Sequence, residues 1–196
     1  MIAYLEGKLT FKSPTSVHLD VGGIAYVVNI SLHTFSQIEN EETAKLYTQL
    51  IVRETEHSLY GFRDMTEKDL FSKLVTVKGI GPNTARVILS YLTPEETKSA
   101  ILQENIVAFK KVKGVGPKTA QQIILDLKNK IAKDTMETGA KIPDSAPTSI
   151  REEAISALMA LGFQRNPIAK VVDKVMSENP DMDQVENLIK TILRQL

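Results

Sequence analysis

The chain has 196 residues with 24 basic and 24 acidic side chains, so its formal net charge is zero and gives no global electrostatic reason to expect a nucleic-acid partner. It has no cysteine, which excludes disulfides, thiolate metal sites and a cysteine nucleophile. The length suits one to three small domains, the first residues carry an acid and a glycine where a secretory signal needs a continuous apolar region, and no run approaches membrane-spanning length, so the expectation is a soluble cytoplasmic protein.

Charge is unevenly spread along the chain. Residues 1 to 64 carry 5 basic and 8 acidic groups, 65 to 135 carry 12 and 7, and 136 to 196 carry 7 and 9. The middle segment is the cationic one, which predicts a contact surface for polyanion there.

Residues 1 to 63 read as a small barrel. Ala3, Leu5, Leu9 and Phe11 suggest a first strand that turns at Ser13-Pro14. Val17 to Val21 and Ile24 to Ile30 are β-branched runs separated only by Gly22-Gly23, the signal of a hairpin with a primed two-residue turn. No helix follows these glycines, so they form a turn and not a phosphate loop. Tyr26, Val28 and Ile30 share one face. A short helical connection near 34 to 39 leads to a strand in which Leu46, Thr48, Leu50 and Val52 alternate with Tyr47 and Ile51, and Leu59-Tyr60-Gly61-Phe62 closes the segment. Five strands fit a closed barrel of the OB type. The polar stretch Arg53 to Ser58 forms the tip between the last two strands. Glu54, Glu56 and His57 lie there, but one exposed loop supplies no nucleophile and no burial to shift a pKa, so neither catalysis nor a metal site is expected.

Residues 64 to 133 are helical. Thr66 followed by Asp69 is the expected start of a helix whose inner face is Leu70, Phe71, Leu74 and Val75. Gly79-Ile80-Gly81 stops it, and Pro82 opens the next helix, where a missing N–H costs nothing. Thr93-Pro94-Glu95-Glu96 starts a third helix, Asn105 a short fourth, and Pro117 a long fifth after Gly114-Val115-Gly116. Val77-Lys-Gly-Ile-Gly-Pro-Asn-Thr-Ala85 thus returns as Val112-Lys-Gly-Val-Gly-Pro-Lys-Thr-Ala120, a period of 35 residues with nine identities over the nineteen positions 74 to 92 set against 109 to 127. Each copy is helix, tight glycine turn, helix. Ile80 and Val115 serve packing between the helices. The glycines expose backbone N–H groups where the following helix begins with unsatisfied donors, a corner that binds a phosphate oxygen. The candidate DNA-binding residues are Gly79, Gly81, Asn83 and Thr84 in the first copy and Lys113, Gly114, Gly116, Lys118 and Thr119 in the second, with Lys110 and Lys111 nearby.

The residues favour a binding scaffold over an enzyme. Asp126 and Lys128 lie downstream of the second copy, where a glycosylase keeps its acid and lysine, but they fall on solvated positions of the long helix. No spaced set of carboxylates suits a two-metal nuclease. No Gly-x-x-x-x-Gly-Lys-Ser/Thr occurs, so a nucleotide-driven motor must be a partner.

Residues 134 to 148 read as a flexible linker with two prolines and little to bury. A three-helix bundle resembling the ubiquitin-associated type follows over 149 to 196, with Ser149 as first cap, Gly162 as a left-handed end, Asn166-Pro167 opening the second helix and Asn179-Pro180-Asp181 preceding the third. Leu158, Leu161 and Phe163 are candidate partner contacts, with core packing the equally good reading.

The two glycine turns resemble the helix-hairpin-helix motif of sequence-independent DNA-binding proteins, which holds DNA backbone and not base edges. The whole order of barrel, tandem motif, linker and three-helix bundle resembles the RuvA family of Holliday-junction proteins, including Asp20 to Tyr26, Val52-Arg-Glu54, Leu59 to Phe62 and Leu158 to Phe163. The resemblance implies a homotetramer matched to a four-way DNA junction, one tetramer or two (an octamer) on each junction, with barrels at the centre and hairpins on the arms. It implies an acidic pin formed by Glu54 and Glu56, and a tail that binds the RuvB ATPase motor, with a RuvC resolvase as a further partner. It implies no catalytic residue, metal or cofactor in this chain. Two positions depart from the family's pattern: Thr55 separates the two acids of the pin, and Asn83 stands where some relatives have lysine.

Overall fold

A computed structural model describes residues 2–139, 150–178 and 184–193. It divides into two compact units, Met1–Gly139 and Ala140–Leu196.

The first unit begins with strands β1 (Tyr4–Ser13), β2 (Ser16–Val21) and β3 (Ile24–Asn29), helix α1 (Leu32–Ile38), and strands β4 (Thr43–Val52) and β5 (His57–Phe62). They close into a barrel in the order β1-β2-β3-β5-β4, with β4 returning antiparallel onto β1 and β3 meeting β5 in parallel. This is the expected five-stranded OB-type barrel. Gly22 and Gly23 take φ of 65° and 92°, as the two-residue turn requires. Leu5, Leu9, Val17, Leu19, Val28, Ile30, Ile38, Ala44, Leu46 and Leu59 fill its interior. The β1–β2 register slips between Leu9 and Phe11, and that bulge turns the Phe11 ring outward, where it lies 4.7 Å from the His18 ring.

Strand β5 joins the barrel to the helices, because both of its faces are buried. Leu59 points into the barrel, whereas Tyr60 and Phe62 belong to the helical core, their rings 5.0 and 4.9 Å from that of Phe71. A run of four nonpolar residues, Leu59-Tyr60-Gly61-Phe62, is what a strand buried on two sides needs.

Helices α2 (Met65–Val75), α3 (Pro82–Tyr91), α4 (Pro94–Leu102), α5 (Ile106–Lys110) and α6 (Pro117–Gly139) complete the unit. Helix α4 begins at the expected Thr93-Pro94, where Thr93 and Glu96 form a capping box, and Asn105 caps α5 through its side chain. Helix α2 starts earlier than expected: its cap is Asp64, whose carboxylate accepts from Glu67 N–H at 2.8 Å, and Thr66 lies inside the first turn. Asp64 is the better cap because its carboxylate is a stronger acceptor facing the positive helix end. Helix α6 runs on through 134–139, which were read as the start of the linker, since nothing before Gly139 breaks a helix there. Residues 140–148 of that linker lie outside the described residues.

In the second unit α7 (Ile150–Ala160), α8 (Arg165–Glu178) and α9 (Val185–Leu193) pack around Ala154, Ile155, Leu158, Ile168, Val172, Val175, Leu188 and Ile192. Gly162, at φ 97°, ends α7 with Phe163 N–H reaching back to the Leu158 carbonyl. Helix α8 opens at Arg165, one residue before the expected Asn166. The proposed cap Ser149 and the Asn179-Pro180-Asp181 segment fall outside the described residues. No helix among the described residues is long and apolar enough to cross a membrane.

Candidate nucleic-acid interface

The two glycine turns repeat one another bond for bond. Val77 N–H donates to the Leu74 carbonyl, Ile80 N–H to Val77 and Ala85 N–H to Gly81, at 3.0, 3.0 and 2.9 Å. In the second copy Val112 donates to Phe109, Val115 to Val112 and Ala120 to Gly116, at 3.0, 3.1 and 2.9 Å. Ile80 and Val115 are both buried plugs. Gly79 and Gly114 each take φ 90°, a conformation that costs an L side chain about 1–2 kcal/mol, and a Cβ there would meet nothing within 4 Å. Glycine is therefore needed for backbone shape, and the space above it stays open for a ligand.

The open side of each turn is lined by donors. Among the described residues the N–H groups of Gly79, Gly81, Gly114 and Gly116 have no protein acceptor. Those of Asn83, Thr84, Lys118 and Thr119 fall in the first turns of α3 and α6, where helix geometry leaves them unpaired. Helix α3 has no side-chain cap at Gly81. With the positive ends of two helix dipoles behind them, these corners suit phosphate oxygens.

Their surroundings differ. The second turn is flanked by exposed Lys110, Lys111, Lys113 and Lys118, none in an ion pair among the described residues, and its Gly116 and Pro117 face solvent. The first has exposed Lys78, the counterpart of Lys113, and its Pro82 is buried. Asn83, counterpart of Lys118, accepts a 3.2 Å hydrogen bond from the Tyr60 hydroxyl of β5. Burial pushes the Tyr60 phenol up, with Arg86 and Arg53 opposing it, which keeps the hydroxyl a donor. Arg86 Nη1 donates to the Thr15 carbonyl at 2.7 Å, and Leu32 N–H donates to Ser90 Oγ at 3.0 Å. The first hairpin helix is thus tied to the barrel along its length. Side chains of the second bond within the helical region: Gln122 to Asp126, and Lys128 to Glu104, which lowers the Glu104 pKa. Asp126 and Lys128, weighed above as a glycosylase pair, therefore point to different partners.

The β4–β5 tip lies beside the first corner. Arg53 N–H donates to the Glu56 carbonyl at 2.9 Å, and Arg53 Nη1 sits 3.6 Å from Glu56 Oε1. A Cβ on Gly81 would lie 3.9 Å from Arg53 Nη2. Glu56 is thus held to the flank by Arg53, while exposed Glu54 has no ion pair or hydrogen bond among the described residues. His57 stands on β5 and not in the tip. Lys78 joins the candidate residues and is legible in the sequence as the repeat of Lys113. Arg53, Tyr60 and Arg86 join them too, but their proximity to the first corner depends on how the barrel packs.

In the second unit Leu158 is wholly buried and corrects the partner-contact reading for that residue: its side chain builds the bundle core. Leu161 and Phe163 are 61% and 37% exposed, with Met159 exposed beside them in sequence.

An OB-type barrel carrying two backbone corners of this kind, one docked on it and one free, defines a tandem helix-hairpin-helix protein. Residues 1–61 match the family model described as "RuvA N terminal domain", 71–129 the "SAM-like Helix-hairpin-helix tandem", and 149–196 "RuvA, C-terminal domain". Relatives from Cytophaga hutchinsonii and Christiangramia forsetii are each 44% identical, over 99% of both chains and 100% of both chains respectively. A relative from Flavobacterium psychrophilum is 43% identical over 100% of both chains. All three are named "Holliday junction branch migration complex subunit RuvA". The chain belongs to the RuvA family.

Proposed function

We propose that this chain binds four-way DNA junctions without reading their sequence, as the non-catalytic subunit of a branch-migration complex in recombination and repair. The observation that carries this reading is the pair of superimposable donor-lined corners, Gly79 to Thr84 and Gly114 to Thr119, held on one compact unit with the free carboxylate of Glu54. Corners of that kind grip phosphate, which every DNA sequence offers, and so give affinity without base discrimination. Preference for a junction then comes from arrangement. Four chains meeting through their barrels place eight corners on four arms, and the Glu54 tips near the crossover repel phosphates there, which disfavours uninterrupted duplex and helps part the strands. Glu56, paired with Arg53, contributes less to that repulsion.

The relatives' names refer to a complex, which supports a motor partner. In this reading the second unit docks the RuvB ATPase through Leu161, Phe163 and Met159, and ATP hydrolysis belongs to that partner. In this reading one tetramer, or two facing each other, would hold the junction. A RuvC resolvase would act on the same complex, in the cytoplasm. The test is a titration of labelled junction and of duplex of matching length with Mg²⁺ and no partner. The expected result is uncleaved junction bound more tightly than duplex, with affinity falling steeply as salt rises. Equal affinity for the two substrates, or cleavage of the junction, would overturn the reading.

A further inference from the structure

Glu67 is the only charged side chain fully buried among the described residues, and the hairpins do not use it. It lies in the first turn of α2, at the place where a capping box would send it back to its own helix start, but Asp64 caps that helix and Glu67 points elsewhere. Its two oxygens reach across to the barrel's only helix. Oε1 accepts from the Ser31 hydroxyl, and Oε2 accepts from the Thr34 hydroxyl at 2.6 Å. Both hydroxyls are themselves buried, and each already accepts a backbone N–H: Ser31 Oγ that of Thr34 at 3.0 Å, and Thr34 Oγ1 that of Arg63 at 3.1 Å.

The proton count fixes the arrangement. Each hydroxyl has one proton, its oxygen accepts a backbone N–H through one of two lone pairs, and the proton points at Glu67. A carboxylate, acceptor on both oxygens, matches that pair, whereas an amide would turn a donor toward one of them. His33 and Asp64 also lie near, close enough with Glu67 for a cation by distance alone, but both Glu67 oxygens already face hydroxyl protons, so the trio is not a cation site. Burying this charge costs stability that an apolar residue would not. What it supplies instead is direction: satisfied hydrogen bonds at both oxygens exist for one placement of α2 on the barrel.

We propose that Glu67, held by Ser31 and Thr34, is a positioning residue for junction recognition that fixes the angle at which the paired hairpins leave the barrel. The proposal rests on the junction-binding reading. Several corners engage one junction at once only if their separation is set in advance, and a loose connection lowers the effective concentration of each further corner without weakening any corner itself.

Thr34→Val removes the hydroxyl at nearly constant volume, and Thr34→Ser retains it. The expected result for Thr34→Val is a loss of junction affinity of roughly ten- to a hundredfold with duplex affinity within about twofold of the parent, and recovery of the junction preference in Thr34→Ser. An unchanged ratio of junction to duplex affinity, or a loss of both in step, overturns the proposal. A second measurement needs no DNA. Because the chain has no cysteine, spin labels at Asn40→Cys and Val107→Cys, diluted into unlabelled protein, report the distance from barrel to helical region directly. Thr34→Val is expected to broaden that distance distribution and Thr34→Ser to leave it narrow; an unbroadened distribution in Thr34→Val overturns the inference. Absence of any junction preference in the parent protein would sink the function reading, and the distance measurement then decides this inference alone.

Discussion

In the first hairpin the Asn83 amide oxygen accepts from the Tyr60 hydroxyl of the barrel and Arg86 reaches the Thr15 carbonyl, whereas in the second Lys118 takes the place of Asn83 and stands in solvent, with Lys110, Lys111 and Lys113 also exposed. The backbone of the two is the same to within 0.1 Å in each matching hydrogen bond. The two copies therefore share a donor geometry and differ in surroundings: one is anchored to the barrel, with its neighbours Arg53 and Arg86 engaged by Glu56 and the Thr15 carbonyl, and the other carries four exposed lysines. In the proposed reading the anchored copy would set position, and the free copy would supply most of the electrostatic attraction.

The largest expected effect tests the shared part. Gly114→Val places a β-branched residue at φ 90° and closes the donor corner; junction affinity should fall more than about tenfold, since the backbone alone costs about 1–2 kcal/mol and the phosphate contact is lost as well. Next comes the divided part. Lys118→Ala should weaken junction and duplex binding alike and reduce the slope of log affinity against log salt by about one per lost phosphate contact, while Asn83→Ala leaves that slope unchanged. Equal slopes for the two variants in a salt titration would mean that the hairpins are not divided in this way. Smaller still is the anchor itself. Tyr60→Phe and Asn83→Ala each remove the same hydrogen bond, so each should cost about 1 kcal/mol of unfolding free energy and the double variant little more; additive losses in denaturant titrations would show that the bond does not form.

A pH experiment reaches the junction between barrel and helices. Burial pushes the Glu67 carboxyl above its ordinary value of 4.5, while its hydroxyl partners and His33 pull it down and Asp64 raises it further. The folded chain then holds this proton more tightly than the unfolded chain does. Between the ordinary and the raised value the native state binds more protons, so the contribution of Glu67 to stability grows as pH falls through the raised value and is lost as pH rises through it. Measured as the difference from Glu67→Gln, the parent protein should gain stability on acidification across that window. A difference that shrinks as pH falls would contradict the assignment.

Local features were legible in the residues, and long-range ones were not. The Gly22-Gly23 turn, the helix starts at Thr93 and Asn105 and both glycine turns follow from short-range chemistry and stand where the sequence puts them. The failures have physical causes. The bulge that turns Phe11 outward is not announced by the alternation of the strand. Thr66 was favoured as a cap although Asp64 lay two residues upstream. Leu158 belongs to a pattern that serves a core and a contact surface equally well until burial is known. Tyr60 with Asn83 and Glu67 with Ser31 are pairs 23 and 36 residues apart, and no periodicity announces them. The roles that separate the hairpins came from such pairs, while their common chemistry was readable from the motif.

The central claim is that preference for a four-way junction comes from arrangement and from the Glu54 tip, and not from the hairpins' own chemistry. Its most direct test is to titrate the parent protein and Glu54→Lys against junction and duplex at one salt concentration. Glu54→Lys is expected to bind duplex more tightly than the parent, with a narrower junction preference. Unchanged duplex affinity and an unchanged preference would contradict it.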